Sequence, residues 1–237
     1  MSGKRPPPRL PAEQLTIAWQ SASLLLDYPD ECLPTRLDLI QRLSRQLPEA
    51  IGDPLRTTVH ELGSAELPAV QEEYVDTFDT RRRHSLFLTY FAHGDTRRRG
   101  VALLRFKQTY LRSGFVLDDT ELPDHLCVVL EYAATVDQRL GWNLLLDHRA
   151  GLELLRLALA GRGSKWLGAV QAITATFPPL AGDERAAIQR LAAEGPPQEE
   201  VGLTPYATPV FDPEAPGAPG TRSPHPLPMP SLPEAHR

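Results

Sequence analysis

An all-α domain is the fold class this sequence predicts, and three observations predict it. Apolar residues recur at three- and four-residue intervals through most of residues 12–194. Prolines stand at the starts of these segments, where a missing N–H removes nothing that a helix needs. Strand signatures, alternating β-branched runs bounded by turn dipeptides, are absent. A single-domain bundle of about nine helices over residues 12–195 follows. Residues 1–11 and 196–237 are expected to be disordered. The latter stretch holds 12 of the 24 prolines, and its few large apolar residues have no helical period.

The first helix, about Ala12 to Asp27, places Leu15, Ala18, Trp19, Ala22 and Leu26 on one face and stops before Tyr28-Pro29. Pro34 opens a second, with Leu37, Ile40, Leu43 and Leu47 inward. Pro54 opens a third, with Leu55, Val59 and Leu62, and Pro68 a fourth, with Val70, Tyr74 and Phe78. Ser85 to Phe91 is a short apolar piece ended by Gly94-Asp95-Thr96. Asp95 or Thr96 can N-cap the next helix, which carries Leu103, Phe106 and Tyr110 and stops at Gly114. After a loop to Pro123, a helix from Asp124 turns Leu126, Val129, Leu130, Ala133 and Val136 inward. Helices over about Leu144–Ala160, Lys165–Phe177 and Asp183–Glu194 complete the set, separated by Gly161-Arg162-Gly163 and Pro178-Pro179.

Charge is partitioned along the chain. The formal net is −5, which argues against a general nucleic-acid coat. Arg81 to Arg112 nevertheless holds nine basic residues against the single acid Asp95, while Met1–Thr80 sums to −6 and Ser113–Gly195 to −4. Cys32 and Cys127 fit no disulfide framework or zinc spacing, and two free thiols suit a reducing compartment. Pro6-Pro7-Pro8 and Pro11 stand where an export signal would need an apolar run, and no stretch is long and apolar enough to span a membrane. A cytoplasmic protein is expected.

Chemistry is sparse. No histidine pair has the i, i+4 spacing of a metal-binding helix, and there is no Gly-x-Ser-x-Gly elbow. Neither a metal site nor catalytic residues are assigned. Arg97-Arg98-Arg99 on the first turn of a helix oppose its macrodipole, so they call for partners. Those are either acids of neighbouring helices or a phosphate. A nucleotide- or phosphate-binding helical module is therefore an alternative function, although residues ~100° apart cannot all face one ligand. Aromatics at Tyr74, Phe78, Tyr90 and Phe91, flanked by charge of both signs, also suit a groove for an amphipathic peptide.

Residues 74–133 carry a resemblance that goes further. Tyr74-Val75-Asp76-Thr77-Phe78-Asp79, Arg81-Arg82-Arg83, Leu88-Thr89-Tyr90 and His93-Gly94-Asp95-Thr96-Arg97-Arg98-Arg99-Gly100 are its first blocks. Ala102 to Lys107, Glu121-Leu122-Pro123-Asp124-His125-Leu126 and Leu130-Glu131-Tyr132 complete it. Together they resemble the assembly chaperones of respiratory nitrate reductase, the delta-subunit (NarJ/NarW) family within the TorD-like maturation chaperones. The flanking helices agree in kind, so the likeness extends over about residues 13–195. Thr77 stands where broader relatives often have leucine, which favours the nitrate branch.

The resemblance implies an all-helical, non-enzymatic, cytoplasmic chaperone. It would bind the N-terminal segment of the catalytic (alpha) subunit, also within the apo alpha–beta complex, and delay docking to the membrane anchor. It would keep the client open to its molybdenum guanine-dinucleotide cofactor without holding that cofactor stably, with cofactor-delivery proteins as further partners. Carried over position by position, the groove comprises Tyr74, Phe78, Tyr90, Glu121, Asp124 and His125. Arg81, Arg82, Arg83, Arg97, Arg98 and Arg99 lie nearby, as cofactor contacts or as structural salt bridges. The acidic flanks would attract a basic amphipathic client.

Overall fold

Proline and glycine placement explains most of the helix boundaries in the computed structural model, which describes residues 7–194 except 119 and 181. Of the two segments expected to be disordered, residues 1–6 and the whole of 196–237 lie outside the described residues. Eleven α-helices form within them, in the order α1 (Ala12–Leu26), α2 (Leu33–Leu43), α3 (Glu49–Gly63), α4 (Leu67–Tyr74), α5 (Tyr90–His93) and α6 (Arg97–Arg112). Then come α7 (Leu126–Thr135), α8 (Gln138–Asp147), α9 (Arg149–Arg162), α10 (Leu167–Ala175) and α11 (Gly182–Glu194). The fold class is all-α, as the periodicity predicts.

α1 is the central rod. Leu15, Ala18, Trp19, Ala22 and Leu26 are wholly buried, and it packs against α7 on one side and α10 on the other. α10 in turn lies on α3, brought close by Gly168. A Cβ there would stand 2.0 Å from the Pro54 carbonyl oxygen, so the helices touch backbone to backbone. Gly141 does the same for α8 on α7, where a Cβ would meet that of Ala133 at 2.3 Å.

Three features depart from the spacing. Pro54 lies inside α3 rather than at its start; Pro48 precedes the first turn instead. A proline interior to a helix removes one i→i−4 bond, yet α3 continues because Ile51, Leu55 and Leu62 bury its inner face. The helix expected over Leu144–Ala160 is two, α8 and α9, broken at His148. Asp137 starts α8, its carboxylate accepting the Leu140 N–H at 2.8 Å. Val136, expected inward, caps the end of α7 and is 40% exposed.

The apolar piece after the first arginine triplet is not simply helical. Extended backbone around Phe87 pairs antiparallel with His125 before α5 begins. Leu88 N donates to Asp124 O at 3.0 Å, and Leu126 N to Leu86 O at 2.8 Å. α4 likewise runs into a π-helical turn, Val75–Asp79, which buries Thr77 and Phe78.

Candidate functional site

The backbone pairing of residues 86–88 with 124–126 places Asp124 where water does not reach. The residue is 0% exposed. Its Oδ2 accepts the Thr89 N–H at 3.1 Å and the Thr89 hydroxyl at 2.5 Å. Arg99 Nε donates to that hydroxyl at 3.3 Å; one of its terminal nitrogens lies 3.8 Å from Asp124 Oδ2 and the other 3.5 Å from Asp95 Oδ1. The same guanidinium sits over the Phe87 ring, 5.2 Å from its centroid. A buried carboxylate without such donors would be strongly disfavoured. Beneath it the Tyr110 hydroxyl donates to Pro123 O at 2.6 Å, and burial pushes that phenol upward.

His125 is half-buried on the outer side of this network, its ring 5.2 Å from Phe87. Burial lowers its pKa below the ordinary histidine value, and the charges of Asp124, Glu121 and Asp27 pull partly the other way. Asp27 belongs to a third part of the chain, the end of α1, and that end is where the two motif blocks meet. Ser23 Oγ donates to Cys127 O at 3.0 Å, which ties α1 to the start of α7. Tyr74 OH donates to Leu26 O at 2.9 Å, which ties α1 to α4. The Tyr74 ring then packs on Phe78 (4.8 Å), Trp166 (5.6 Å) and the edge of Tyr28 (5.4 Å). Arg36 holds Asp27 at 3.2 Å and Asp30 at 2.6 Å.

Of the six residues assigned to a groove, Tyr74, Phe78, Tyr90 and Asp124 are buried, His125 is half-buried and only Glu121 is exposed. The structure brings Tyr74 and Phe78 into one ring cluster, and Asp124 and His125 into the neighbouring polar network. Tyr90 packs instead on Phe91, at 6.2 Å. Tyr28 (45% exposed) and Leu122 (42%) are exposed neighbours in sequence of Asp27 and Glu121, the two exposed carboxylates whose charges both act on His125. Sequence reasoning missed Tyr28 and treated Tyr28-Pro29 only as a helix stop. An aromatic beside a proline at a helix end was the available signal.

The arginines divide. Arg81 reaches Asp76 at 3.7 Å, and Arg162 also bonds that carboxylate and lowers its pKa. Arg99 braces Asp124. Arg82, Arg83, Arg97 and Arg98 are exposed, so the second triplet does not converge on one point. Arg82, Arg83 and Arg98 have no ion-pair partner among the described residues. No group of three or more potential metal ligands gathers among those residues either. No helix there is long and apolar enough to cross a membrane.

Comparison with known proteins adds to this geometry. Residues 41–172, more than half of the chain, match the family model described as nitrate reductase delta subunit. Nitrate reductase-like protein NarX of Mycobacterium tuberculosis is 39% identical over 160 residues, 68% of this chain and 24% of that protein. The nitrate reductase molybdenum cofactor assembly chaperone NarJ of Escherichia coli K12 is 33% identical over 147 residues, 61% of this chain and 62% of its own. The chain thus spans about a quarter of the first relative and under two thirds of the second. Among solved structures, a candidate redox enzyme maturation protein of Archaeoglobus fulgidus aligns with a TM-score of 0.50. The alignment covers 74% of this chain and 98% of that one at 20% identity, a likeness of fold.

Proposed function

Because this chain belongs to the nitrate reductase delta subunit family, we propose that it is an assembly chaperone for the catalytic alpha subunit of a nitrate reductase. In this reading it holds the alpha subunit's N-terminal segment at the surface around His125, Glu121 and Tyr28. Docking of the apo alpha–beta complex to its membrane anchor is delayed, and the client stays open while molybdenum guanine dinucleotide is inserted. The chaperone keeps no cofactor of its own and makes or breaks no bond.

The observation that carries the reading is the family match through residues 41–172, inside which lie both motif blocks that meet at the end of α1. The physical support is the character of that meeting point. Tyr28 and Leu122 are apolar anchors on offer, and Glu121, with the two carboxylates Asp27 and Asp30 that share the single cation Arg36, gives this region a net negative charge. A basic amphipathic segment buries its apolar side on the anchors and is oriented by that charge. The buried Tyr74, Phe78 and Asp124 then act from beneath, by fixing the backbone that presents Tyr28 and His125.

Calorimetric titration of the full chain with a synthetic peptide of the alpha-subunit N-terminus tests this. Binding between micromolar and nanomolar, about −8 to −12 kcal/mol, is expected, weakened by about fivefold or more in Glu121→Lys and in Tyr28→Ala. No binding heat, or heat indifferent to both substitutions, sinks the assignment of this surface.

A further inference from the structure

α6 has two faces, and the surface around His125 uses neither end of the outer one. Its inner face carries Ala102, Phe106 and Tyr110 into the core. The outer face repeats on a heptad. Val101 (57% exposed), Leu104 (57%) and Leu111 (64%) alternate with exposed Arg97 and Gln108 at the four- and three-residue steps of a coiled-coil seam. Single exposed leucines are ordinary, but three aliphatic side chains kept in one heptad register along an exposed helix face are not. Arg98, Arg105 and Arg112 lie seven residues apart, each directly after a seam position, where coiled coils carry the charges that choose a partner. All three are exposed, and none has an ion-pair partner among the described residues. α6 contains no acid at all.

We propose that this outer face of α6 is a docking seam for an acidic amphipathic helix of a partner protein. The occupant follows from charge. A second copy of this chain would set arginine against arginine, or against Lys107 on the other flank, in either helix direction, and like charges at these positions oppose pairing. An anionic membrane suits the cations, but it would have to approach a chain of net charge −5. It would also meet only a short aliphatic row, about 15 Å long at 1.5 Å per residue and interrupted by Gln108. A partner helix with carboxylates beside its own apolar row satisfies the arginines, and a polar residue facing Gln108 sets the register. Since α6 is already ordered against the core, only the partner loses conformational freedom on docking. The seam is independent of the surface around His125, and either can fail without the other.

The test uses a labelled three-heptad peptide with leucine at the seam positions and glutamate at the flanking ones. A scramble of the same composition is the control. Both are titrated into the full chain by fluorescence anisotropy. The patterned peptide is expected to bind in the micromolar range, about tenfold or more tighter than the scramble and than its binding to the Leu104→Ser, Leu111→Ser variant. Charge reversal, Arg98→Glu with Arg105→Glu and Arg112→Glu, is expected to lose the glutamate peptide and gain its lysine counterpart, a gain that an unfolded variant cannot give. Equal binding of patterned and scrambled peptides, or binding unchanged in both variants, overturns the proposal. Seam-dependent binding to phosphatidylserine vesicles without peptide binding overturns it in favour of a membrane surface. A seam-dependent dimer overturns it in favour of a second copy.

Discussion

Asp124 shows how a residue of a sequence motif can lie wholly inside the fold. Its carboxylate answers two donors of Thr89 and stands beside Arg99, with no solvent exposure. Removing it leaves a backbone N–H, a hydroxyl and a mostly buried guanidinium short of partners, so Asp124→Ala is expected to cost about 3 kcal/mol. Urea unfolding measures this, with exposed Arg98→Gln as a control that stays within about 0.5 kcal/mol. His125 and His148 make a second prediction. Burial holds both below the ordinary histidine value. The unfolded chain therefore takes up protons first, and stability is lost as pH falls through about 6.5 and below. The urea midpoint should be flat from about pH 8 to 7 and decline toward pH 5, less steeply in His148→Gln. A midpoint that rises on acidification would contradict the burial of both rings. The sequence makes the chemistry of these positions legible but not their depth. Tyr74 reads equally well as a groove wall or as core, and only its neighbours Trp166 and Leu26, distant in the chain, decide that it is core.

Between helices, glycine rather than side-chain shape decides how near two elements come. Gly168 lets α10 rest on the Pro54 carbonyl of α3, while Gly161 on α9 has nothing within 4 Å of where a Cβ would be. Gly168→Ala is therefore expected to destabilise by about 2 kcal/mol or more through forced separation. Gly161→Ala, in contrast, is expected to stabilise by about 0.5–1 kcal/mol through helix propensity. Thermal unfolding of the two variants should move in opposite directions, and equal shifts would mean that α3 and α10 are not in backbone contact. α2 and α4 were legible because a periodic apolar face and a first-turn proline coincide, at Pro34 and Pro68. α8 was missed because its start is signalled by one polar residue, Asp137, inside an otherwise continuous helical pattern. The extended pairing of Phe87 with His125 has no local signal at all, since each strand-like piece is only a few residues long and exists through the other.

Across the molecule, the charge blocks read from the sequence become surfaces of opposite sign. The acidic rim at the end of α1 and the loop before α7 joins segments that lie about 90 residues apart in the chain, Asp27 and Glu121. The basic seam of α6 is continuous in sequence and so was visible as an arginine-rich window, although its heptad order emerges only once its inner face is known. The two signs predict a kinetic signature for client capture. Long-range attraction acts on encounter, whereas Tyr28 and Leu122 act once contact is made. Raising ionic strength from about 0.01 to 0.15 M shortens the Debye length from roughly 30 to 8 Å. The association rate of a basic client peptide should then fall by about tenfold, with the dissociation rate changed much less. Stopped-flow fluorescence separates the two rates. Glu121→Lys should flatten the salt dependence, and Tyr28→Ala should leave it intact while speeding dissociation. If salt instead changed only dissociation, the rim would be acting as a short-range contact and the division of labour between charge and apolar anchors would be wrong.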